Sequence, residues 1–428
     1  MVLRRVGLYV VFLCILTLAC AAGGCSPGQQ DGKEILRFFT WKPNQPEVWD
    51  EIIAMFEKEN PGIRVVREIG PHSSTAFHDL LAQKLKNRSS DLDVFLMDVV
   101  WPAEFGAAGW AMSLDDYFPA SERAKYLEST IRANTYRGRV YGMPLYVDSG
   151  MLYYRKDLLG KYGLEPPATW NELVRQAQLI VDKEPEMNGL SAQLKQYEGL
   201  VCNMMEYILG NRGHLVSPET GKSAINEEPA IEAVRYVSDE IVGKIAPRGT
   251  LTYEEPESLD LFIQGKAVFH RNWPYAWTIA NDPERSRVAG KVGIVPLPHF
   301  PGGKSHSTLG GWQIGISNYS ERKETAWTFV RYLSSEKVQK YLAIRAGLAP
   351  ARSALYSDAE VLHAHPQFRD MGYIFLTASP RPGSPIYPAL SNVLQRYFSK
   401  ALSDNRFDLL REAEIAAAEM DRLLALVK

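Results

Sequence analysis

Apolar positions in the first hundred residues follow two spacings that alternate along the chain. Apolar runs predict three strands, at residues 35–40, 63–69 and 92–97. Between these strands, apolar residues recur every three or four positions and predict two helices, the first ending at Asn60-Pro61-Gly62. The order strand-helix-strand-helix-strand predicts a parallel sheet covered by helices, in which ligands collect at the carboxyl ends of the strands.

A further pattern, between residues 309 and 342, predicts a strand followed by a helix. Trp312, Ile314 and Ile316 alternate with polar or small residues, which is the period of a strand with one buried face. Gly310-Gly311 has no side chains, so the backbone can approach a ligand closely just before Trp312. From this stretch alone, a core tryptophan behind a plain turn is an equal alternative.

The middle of the chain continues the alternation of strands and helices. Further strands are predicted at residues 140–147, 152–154, 267–270 and 291–296. Thr169-Trp170-Asn171-Glu172 has the sequence of a capping box and predicts the start of a helix. Two amphipathic helices are predicted to close the chain after Arg381-Pro382.

The N-terminus has the pattern of an export signal. Two arginines precede an apolar run from Val6 to Leu18, which is too short for a comfortable membrane span and is followed by small residues. Ala22-Gly23-Gly24-Cys25-Ser26 resembles a bacterial lipobox with alanine in place of the usual leucine, which makes Cys25 the expected lipidation site and Cys20 the alternative. Residues 1–25 are therefore predicted to be a lipoprotein signal peptide, and residues 26–34 a tether.

Composition narrows the function classes. The 428 residues are 46% hydrophobic, enough to bury a large core, and we expect two domains. The net charge is −2 and no long basic run appears, so nucleic acid is not an expected partner. Cys202 is the one cysteine beyond the N-terminal region, which excludes an internal disulfide framework and predicts a buried apolar filler.

Sequence motifs for catalysis and cofactor binding are scarce. The chain has no glycine-rich dinucleotide or phosphate loop and no nucleophile elbow, and its histidines lack metal-binding spacing. No catalytic residue, cofactor or metal is therefore expected. Asp98 and Asp148 each follow a predicted strand, and Trp41 follows the first one. Two such acids would serve either as a glycosidase pair or as acceptors of hydrogen bonds from sugar hydroxyls.

From Ile35 to the C-terminus, the chain resembles the extracellular solute-binding proteins of bacterial ABC importers, in the class that binds oligosaccharides. The motifs that carry the resemblance are Leu92-Asp93-Val94, Asp98-Val99-Val100-Trp101, Gly109-Trp110, Tyr141-Gly142-Met143-Pro144, residues 152–158, Gln264-Gly265-Lys266-Ala267, Asn272-Trp273-Pro274, Gly310-Gly311-Trp312 and Gly347-Leu348-Ala349-Pro350. Within the family, Ala103-Glu104-Phe105, Tyr197-Glu198-Gly199-Leu200 and Arg381-Pro382 resemble the trehalose/maltose-binding branch.

The resemblance implies an α/β architecture with two lobes, the type II periplasmic-binding-protein fold. Each lobe would be a helix-covered mixed β-sheet, and the ligand would lie in the cleft between them. Residues 35–147 and 310–360 would form lobe 1, and residues 148–309 and 361–428 lobe 2. Closure of the lobes around a ligand would then precede its transfer to a membrane permease, without any reaction.

The resemblance also implies roles for individual residues. Asp98 and Asp148 match carboxylates that accept hydrogen bonds from sugar hydroxyls. The aromatic residues that match stacking positions are Tyr146, Trp273, Tyr275 and Trp312. Gly311 matches a glycine at a close approach to the ligand, and Arg381 a polar contact from the closing segment. Trp41 and Glu47 lie in the first strand-to-helix loop, which varies within the family.

The expected partners are a disaccharide or oligosaccharide of the trehalose/maltose type and the transmembrane subunits of an ABC permease. The protein would be a monomer outside the cytoplasm, held at the membrane by its lipid. Two alternatives stay open on the sequence: a secreted glycoside hydrolase, which would need a pair of acids at fixed spacing, and a solute-binding protein that serves a sensor.

Overall fold

The computed structural model describes residues 29–30, 32–369, 374–375, 378–404 and 406–427. The predicted signal peptide lies outside these residues, as do both candidate lipidation sites, Cys20 and Cys25. Among the helices of the described ranges, none combines the length and apolar character needed to cross a membrane.

Strands are distributed along the whole described chain. Their bounds are β1 Gln29–Gln30, β2 Lys33–Thr40, β3 Ile63–Ile69, β4 Val94–Asp98, β5 Thr135–Tyr136, β6 Arg139–Val140, β7 Met143–Ser149, β8 Met151–Arg155, β9 Asn188–Ser191, β10 Ala267–Asn272, β11 Val292–Val295, β12 Ser307–Ile316, β13 Ala349–Pro350 and β14 Ala378–Ser379. The strands predicted near residues 35, 63, 92, 140, 152, 267, 291 and 312 are therefore confirmed, with ends shifted by a few residues.

Helices fill most of the intervals between strands. They are α1 Pro46–Glu59, α2 Ser74–Lys86, α3 Pro102–Ala107, α4 Ala120–Arg123, α5 Glu128–Ala133, α6 Lys156–Lys161, α7 Trp170–Val181, α8 Glu198–Gly210, α9 Glu228–Tyr236, α10 Glu255–Ile263, α11 Ala276–Ala280, α12 Lys323–Leu333, α13 Glu336–Ala346, α14 Ala359–Ala364, α15 Tyr387–Ser403 and α16 Leu409–Leu424. The predicted capping box is confirmed at α7, where Thr169 Oγ1 accepts from Glu172 N and Glu172 Oε2 accepts from Thr169 N.

The larger sheet has the strand order β1-β2-β4-β12-β7-β13, with β3 beside β2 and β14 beside β12. Strand β2 runs parallel to both β3 and β4, which confirms the parallel arrangement predicted from the first hundred residues. Strand β12 is antiparallel to β4 and β7, so the sheet is mixed. The carboxyl end of β4 therefore meets the middle of β12, and this pairing places Asp98 opposite Trp312.

The smaller sheet has the order β11-β8-β10-β9, with β8 antiparallel to its neighbours and β9 parallel to β10. Its core includes Leu190, Phe269 and residues of both closing helices, such as Phe398 and Met420. The C-terminal helices therefore pack with the smaller sheet although they follow the larger one in the chain.

Strand β12 departs from the expected pattern, because both of its faces are covered. The adjacent residues Gln313 and Ile314, which point to opposite faces, are both fully buried, whereas Trp312 remains half-buried. Gln313 is accommodated in the interior because Asn134 Nδ2 donates to its Oε1 at 2.7 Å. The prediction of one buried face was wrong, since this central strand is covered on both sides, and Gln313 is buried there with a hydrogen bond to its Oε1 while its Nε2 has no partner among the described residues.

Sheet membership changes at Gly150. Strand β7 pairs with β12 as far as Ser149, and β8 begins at Met151 in the other sheet. The lobe boundary predicted at residue 148 thus falls within the larger sheet, because the backbone pairing of β7 continues for two further residues. Strand β12 likewise begins at Ser307, before the predicted boundary at residue 310.

Candidate functional site

A cavity of about 690 Å³, including its mouth, lies where the two sheets face each other. The predicted site residues that line it are Trp41, Asp98, Tyr146, Asp148, Trp273, Tyr275, Gly311, Trp312 and Arg381. They come from the ends of β2, β4, β7 and β10, from β12, and from the segment before α15. The fold therefore brings together side chains that are as much as 340 positions apart in sequence, counted from 41 to 381.

Glu47 is the predicted site residue that does not line this cavity. It is exposed in the first turn of α1, next to Pro46. An acid at this position favours the helix through its interaction with the N-terminal end of the helix dipole. The structure gives no support to the prediction of Glu47 as a contact, because α1 begins at Pro46 and places Glu47 outside the cavity wall.

Arg381 forms the charged centre of the cavity wall. Its Nη2 donates to Asp98 Oδ1 at 2.6 Å, and its Nη1 donates to Glu198 Oε1 at 2.8 Å. The Arg381 side chain is 1% exposed, and the two carboxylate side chains are each 10% exposed. Asp98 ends a strand of the larger sheet and Glu198 begins α8 beside the smaller one, so Arg381 links the two halves of the structure.

Glu198 has further partners that hold it in place. Tyr387 Oη donates to its Oε1 at 2.5 Å, and Ser391 Oγ donates to its Oε2. The carboxylate therefore receives hydrogen bonds from three side chains, which compensates for much of the cost of burying its charge. Arg381 Nε, in contrast, is buried without a hydrogen-bond partner among the described residues.

Trp273 is fixed in the cavity wall by contacts on several sides. The Arg271 guanidinium lies 3.9 Å from the centroid of its ring, and Arg271 itself forms a buried ion pair with Glu206 at 2.5 Å. Trp273 Nε1 donates to Glu255 Oε1 at 3.1 Å, and its backbone oxygen accepts from Tyr153 Oη. A ring held in this way loses little conformational freedom when a ligand binds.

Trp312 belongs to an aromatic cluster on the opposite wall. Its ring centroid lies 5.6 Å from that of Trp41, 5.6 Å from that of Trp101 and 5.7 Å from that of Phe77. Trp41 and Trp312 both line the cavity, and their planes are inclined by 35°. The cluster offers apolar faces of the kind that cover the C–H faces of a sugar ring.

Gly311 is required by the backbone of the neighbouring strand. Its φ is +124°, and a Cβ atom there would lie 2.5 Å from the backbone oxygen of Tyr146 and 2.9 Å from Val147 Cα. Gly311 lines the cavity, as predicted, but its closest neighbour is strand β7. The glycine therefore permits close pairing of β12 with β7 beside the site.

Asp148 is buried in the cavity with one oxygen unpaired. It is 8% exposed, and its Oδ1 has no hydrogen-bond partner within the described part of the chain. Burial, together with the nearby charge of Asp98, raises the pKa of Asp148 to about 7. Hydroxyl groups of a ligand would supply the donors that this carboxyl group lacks.

This raised pKa predicts a pH dependence of stability in the ligand-free protein. Native Asp148 holds its proton up to about pH 7, whereas the unfolded chain loses it near its ordinary value of 3.8. The stabilisation is therefore fully present below about pH 4 and is lost as the pH rises through about 7, with a slope of about 1.4 kcal/mol per pH unit for one proton. Urea unfolding measures the free energy of unfolding of wild type and of Asp148→Asn at several pH values. The value for wild type minus that for the variant should fall between about pH 4 and pH 7. A difference that stays constant over this range would contradict the expectation.

Several residues of the cavity wall were not predicted as contacts. They are Asn44, His72, Ser74, Glu198, Gly199, Cys202, Glu255, Gly310 and Leu348. Glu198 and Gly199 belong to a motif that the family resemblance singled out, so a signal for them was present. Cys202 was correctly predicted to be buried, but the fold places it at the cavity, where burial raises the pKa of its thiol.

The chemistry of the wall is that of a binding site for a polar, uncharged molecule with apolar faces. Four carboxyl groups line the cavity, from Asp98, Asp148, Glu198 and Glu255, against the single guanidinium of Arg381. The excess of acceptors disfavours anionic ligands. Among the described residues, no three His, Cys, Asp or Glu side chains are grouped as a metal ion would require.

A family profile and several known proteins are similar in sequence to this chain. A family profile described as bacterial extracellular solute-binding protein matches residues 42–340. A probable ABC transporter-binding protein of Deinococcus radiodurans is 39% identical over 319 residues, which cover 73% of this chain and 75% of the relative. The maltodextrin-binding protein MdxE of Bacillus subtilis is 25% identical over 351 residues, which cover 78% of each chain.

Among solved structures, maltose-bound MalE3 of T. maritima is similar to this chain over nearly its whole length. The TM-score is 0.85 at 37% identity, and the match covers 92% of this chain and 100% of the other. The predicted two-lobed α/β fold is thereby confirmed.

Proposed function

Because this chain belongs to the bacterial extracellular solute-binding proteins, we propose that its cavity binds a disaccharide or short oligosaccharide of the trehalose/maltose type. Proteins of this family bind solutes and are not enzymes, which removes the support for the hydrolase alternative. Binding would take place outside the cytoplasm, and the sugar would pass to the transmembrane subunits of an ABC permease.

The observation that carries the proposal is the meeting of aromatic rings and carboxyl groups in one cavity. Trp273 and Trp312 line the same space as Asp98, Asp148 and Arg381. A neutral sugar has hydroxyls around its rim and C–H groups on its faces, so it needs polar partners in one plane and aromatic partners above or below. The bound maltose of the similar MalE3 structure supports a sugar of this size.

The arrangement also supports binding by closure of two lobes. We place the lobes as the sequence suggested, at residues 35–147 with 310–360 and at 148–309 with 361–428, with the change of sheet at Gly150. Asp98 and Trp312 belong to the larger sheet, whereas Trp273 follows a strand of the smaller one. A sugar that contacts both groups favours the closed form by the difference between its affinities for the two forms.

Calorimetric titration with trehalose and maltose tests this proposal. Saturable binding of either sugar is expected, and a ligand at 100 times its dissociation constant should add about 2.7 kcal/mol to stability in a parallel thermal-shift assay. Glu47→Gln is the matched control, since Glu47 is a carboxylate outside the cavity. Absence of binding to both sugars, or release of glucose from either, would refute the proposal.

Trp312→Ala should weaken sugar binding while the fold persists. The expected loss is about 1–3 kcal/mol, in line with one desolvated aromatic anchor. The measurement is calorimetric titration of the variant, with urea unfolding to record its stability. Trp327→Ala serves as control, because Trp327 is also half-buried but packs on Tyr117 away from the cavity.

The relation between the two measurements decides the role of Trp312. If Trp312 is only a core residue, its truncation lowers the free energy of unfolding by about 3–5 kcal/mol and leaves the affinity of the folded protein unchanged. That result would remove Trp312 from the proposed contacts.

We also propose that the protein is a monomeric lipoprotein anchored through Cys25. In this case Cys25→Ser should move the protein from the membrane fraction to the soluble or secreted fraction, because the lipid supplies the attachment. Cell fractionation followed by immunoblotting measures the change. Retention of the variant at the membrane would point instead to Cys20 or to an uncleaved signal anchor.

A further inference from the structure

The acids of the cavity wall differ in whether they have a positively charged partner. Asp98 and Glu198 share the guanidinium of Arg381. Asp148 and Glu255 line the same cavity, but neither forms an ion pair with a residue in the described ranges. The cavity therefore contains two carboxyl groups that lack a countercharge, and an uncharged sugar would not supply one.

Asp148 is the less satisfied of these two acids. It lies near the end of β7, more than nine-tenths buried, and its Oδ1 has no hydrogen-bond partner in the described part of the chain. Burial and the charge of Asp98 raise the pKa of Asp148 to about 7, and Glu255 adds to this rise. Arg271 opposes it, but its guanidinium is held by Glu206 in a buried ion pair. A buried acceptor in this position needs a donor from the ligand.

Glu255 reaches the same region from the other half of the structure. It begins α10, which packs on β10 of the smaller sheet. Its oxygens accept from Tyr197 Oη at 2.9 Å and from Trp273 Nε1 at 3.1 Å, which are both neutral donors. Tyr275 lies near both acids, because burial and the charge of Glu255, with a smaller contribution from Asp148, raise the pKa of its hydroxyl. Tyr275 therefore marks the region of the cavity where the two carboxyl groups come together.

We propose that the cavity binds an amino sugar of disaccharide size, whose ammonium group lies between Asp148 and Glu255. The inference rests on the proposed function, because it keeps the sugar contacts of that site and replaces one hydroxyl of the ligand by an ammonium group. This group donates three hydrogen bonds and carries the countercharge that both acids lack. Aromatic rings line the same space, and their faces attract a cation. On binding, Asp148 releases its proton to solvent, and the carboxylate that forms pairs with the ammonium ion.

The pH dependence of this step follows from the groups around Asp148. Those that interact with it electrostatically are Asp98 of β4, Tyr146 of β7, Tyr153 of β8, Arg271 of β10, Glu255 of α10, Tyr275 after β10 and Tyr356 after β13, and His72 and Arg381 line the same cavity. Burial raises the pKa of all four tyrosine hydroxyls, so they stay neutral near pH 7. Below about pH 7 the ammonium ion must displace the proton of Asp148. The preference for the amino sugar over its neutral parent should therefore rise with pH up to about 7.

Calorimetric titration of the full chain tests the inference. It compares trehalose and maltose with their monoamino derivatives, in which an amino group replaces the hydroxyl at C2, C3, C4 or C6 of one glucose unit. Near pH 7.5, at least one derivative should bind at least roughly tenfold more tightly than its parent, as expected when a hydrogen bond joins two charged groups. Near pH 6, titrations in buffers of different ionisation enthalpy should show release of roughly one proton per bound derivative, and a much smaller release for the parent sugar.

Variants of the two acids show where the ammonium group lies. Asp148→Asn and Glu255→Gln each remove one carboxylate and nearly keep its shape, so in both the preference for the derivative should fall to within about threefold of equality. Asp148→Asn should also abolish the proton release. Asp260→Asn is the matched control and should keep the wild-type preference, because Asp260 is an exposed acid of α10 outside the cavity wall. General damage to the site would lower both affinities and leave their ratio unchanged.

The outcomes separate this inference from the function on which it rests. Binding of trehalose or maltose with no derivative preferred overturns the inference and leaves the proposed function intact. A preference that persists in Asp148→Asn and Glu255→Gln also overturns it, because the ammonium group would then lie elsewhere. Binding of a derivative alone, with its affinity lost in both variants, supports the inference and refutes the neutral ligand of the proposed function. Failure of wild type to bind any of these sugars refutes both proposals.

Discussion

Arg381→Met should reduce sugar affinity by at least roughly 100-fold, because it leaves two carboxylates, Asp98 and Glu198, buried without a countercharge. Removing one partner of a buried ion pair costs about 3–5 kcal/mol. In an open form both acids would be hydrated, so the penalty falls on the closed form, and a sugar must overcome it. Calorimetric titration measures the affinity, and small-angle scattering the sugar concentration needed for compaction.

A matched control and a double variant complete this test. Arg396→Met removes another arginine of α15, but its ion pair with Glu419 is 43% and 46% exposed, so the expected effect is below about 1 kcal/mol. Arg381→Met combined with Glu198→Gln should recover part of the lost affinity, because one of the two uncompensated charges is removed. Wild-type affinity in the single variant would show that the charge of Arg381 is not needed for closure.

Gly311→Ala should lower the free energy of unfolding by about 2–4 kcal/mol. The added methyl group would meet backbone atoms of Tyr146 and Val147, which cannot move aside as a flexible side chain would. The backbone conformation at φ +124° is also one that alanine rarely adopts. Urea unfolding measures the loss, and sugar affinity should fall with it because β7 carries Tyr146 and Asp148.

The control for Gly311 is Gly160→Ala. Gly160 lies in α6, and no atom lies within 4 Å of the Cβ position there. Alanine is the better helix former, so this variant should equal or exceed wild type in stability. If Gly311→Ala is as stable as Gly160→Ala, strand β12 must be able to move away from β7 at this position, and the close pairing there does not require a glycine.

Much of the fold was predictable because its elements are encoded locally. Apolar periodicity located the principal strands, and the capping box at Thr169 located the start of α7. The burial of Gln313 was not predictable, since it depends on a hydrogen bond from Asn134, which is 179 positions away. The same limit applies to Gly150, where the change of sheet follows from strand pairing over long distances.

The residues of the candidate site also differ in how far the sequence predicts them. Asp98 and Asp148 follow predicted strands, and the structure places them in the last two residues of β4 and β7. An acid at the end of a strand in a helix-covered sheet is a sequence signal for a ligand contact. Glu198 and Glu255 each begin a helix, where acids are common because they stabilise its N-terminal end. This position does not distinguish a ligand contact from a helix-stabilising acid, and only Glu198 also belongs to a motif of the family resemblance. Glu47 shows the converse, because it is a helix-initiating acid that resembled a contact.

The position of Cys202 provides a test of the proposed closure. This thiol lines the cavity and is 3% exposed, and the other cysteines of the chain all lie in its first 25 residues. If the lobes open as proposed, a reagent such as a maleimide should reach the sulfur faster in the open form, and the rate of labelling would then report the fraction of open molecules. In a chain without the N-terminal cysteines, opening can be timed with no foreign probe attached and no residue replaced in the cavity.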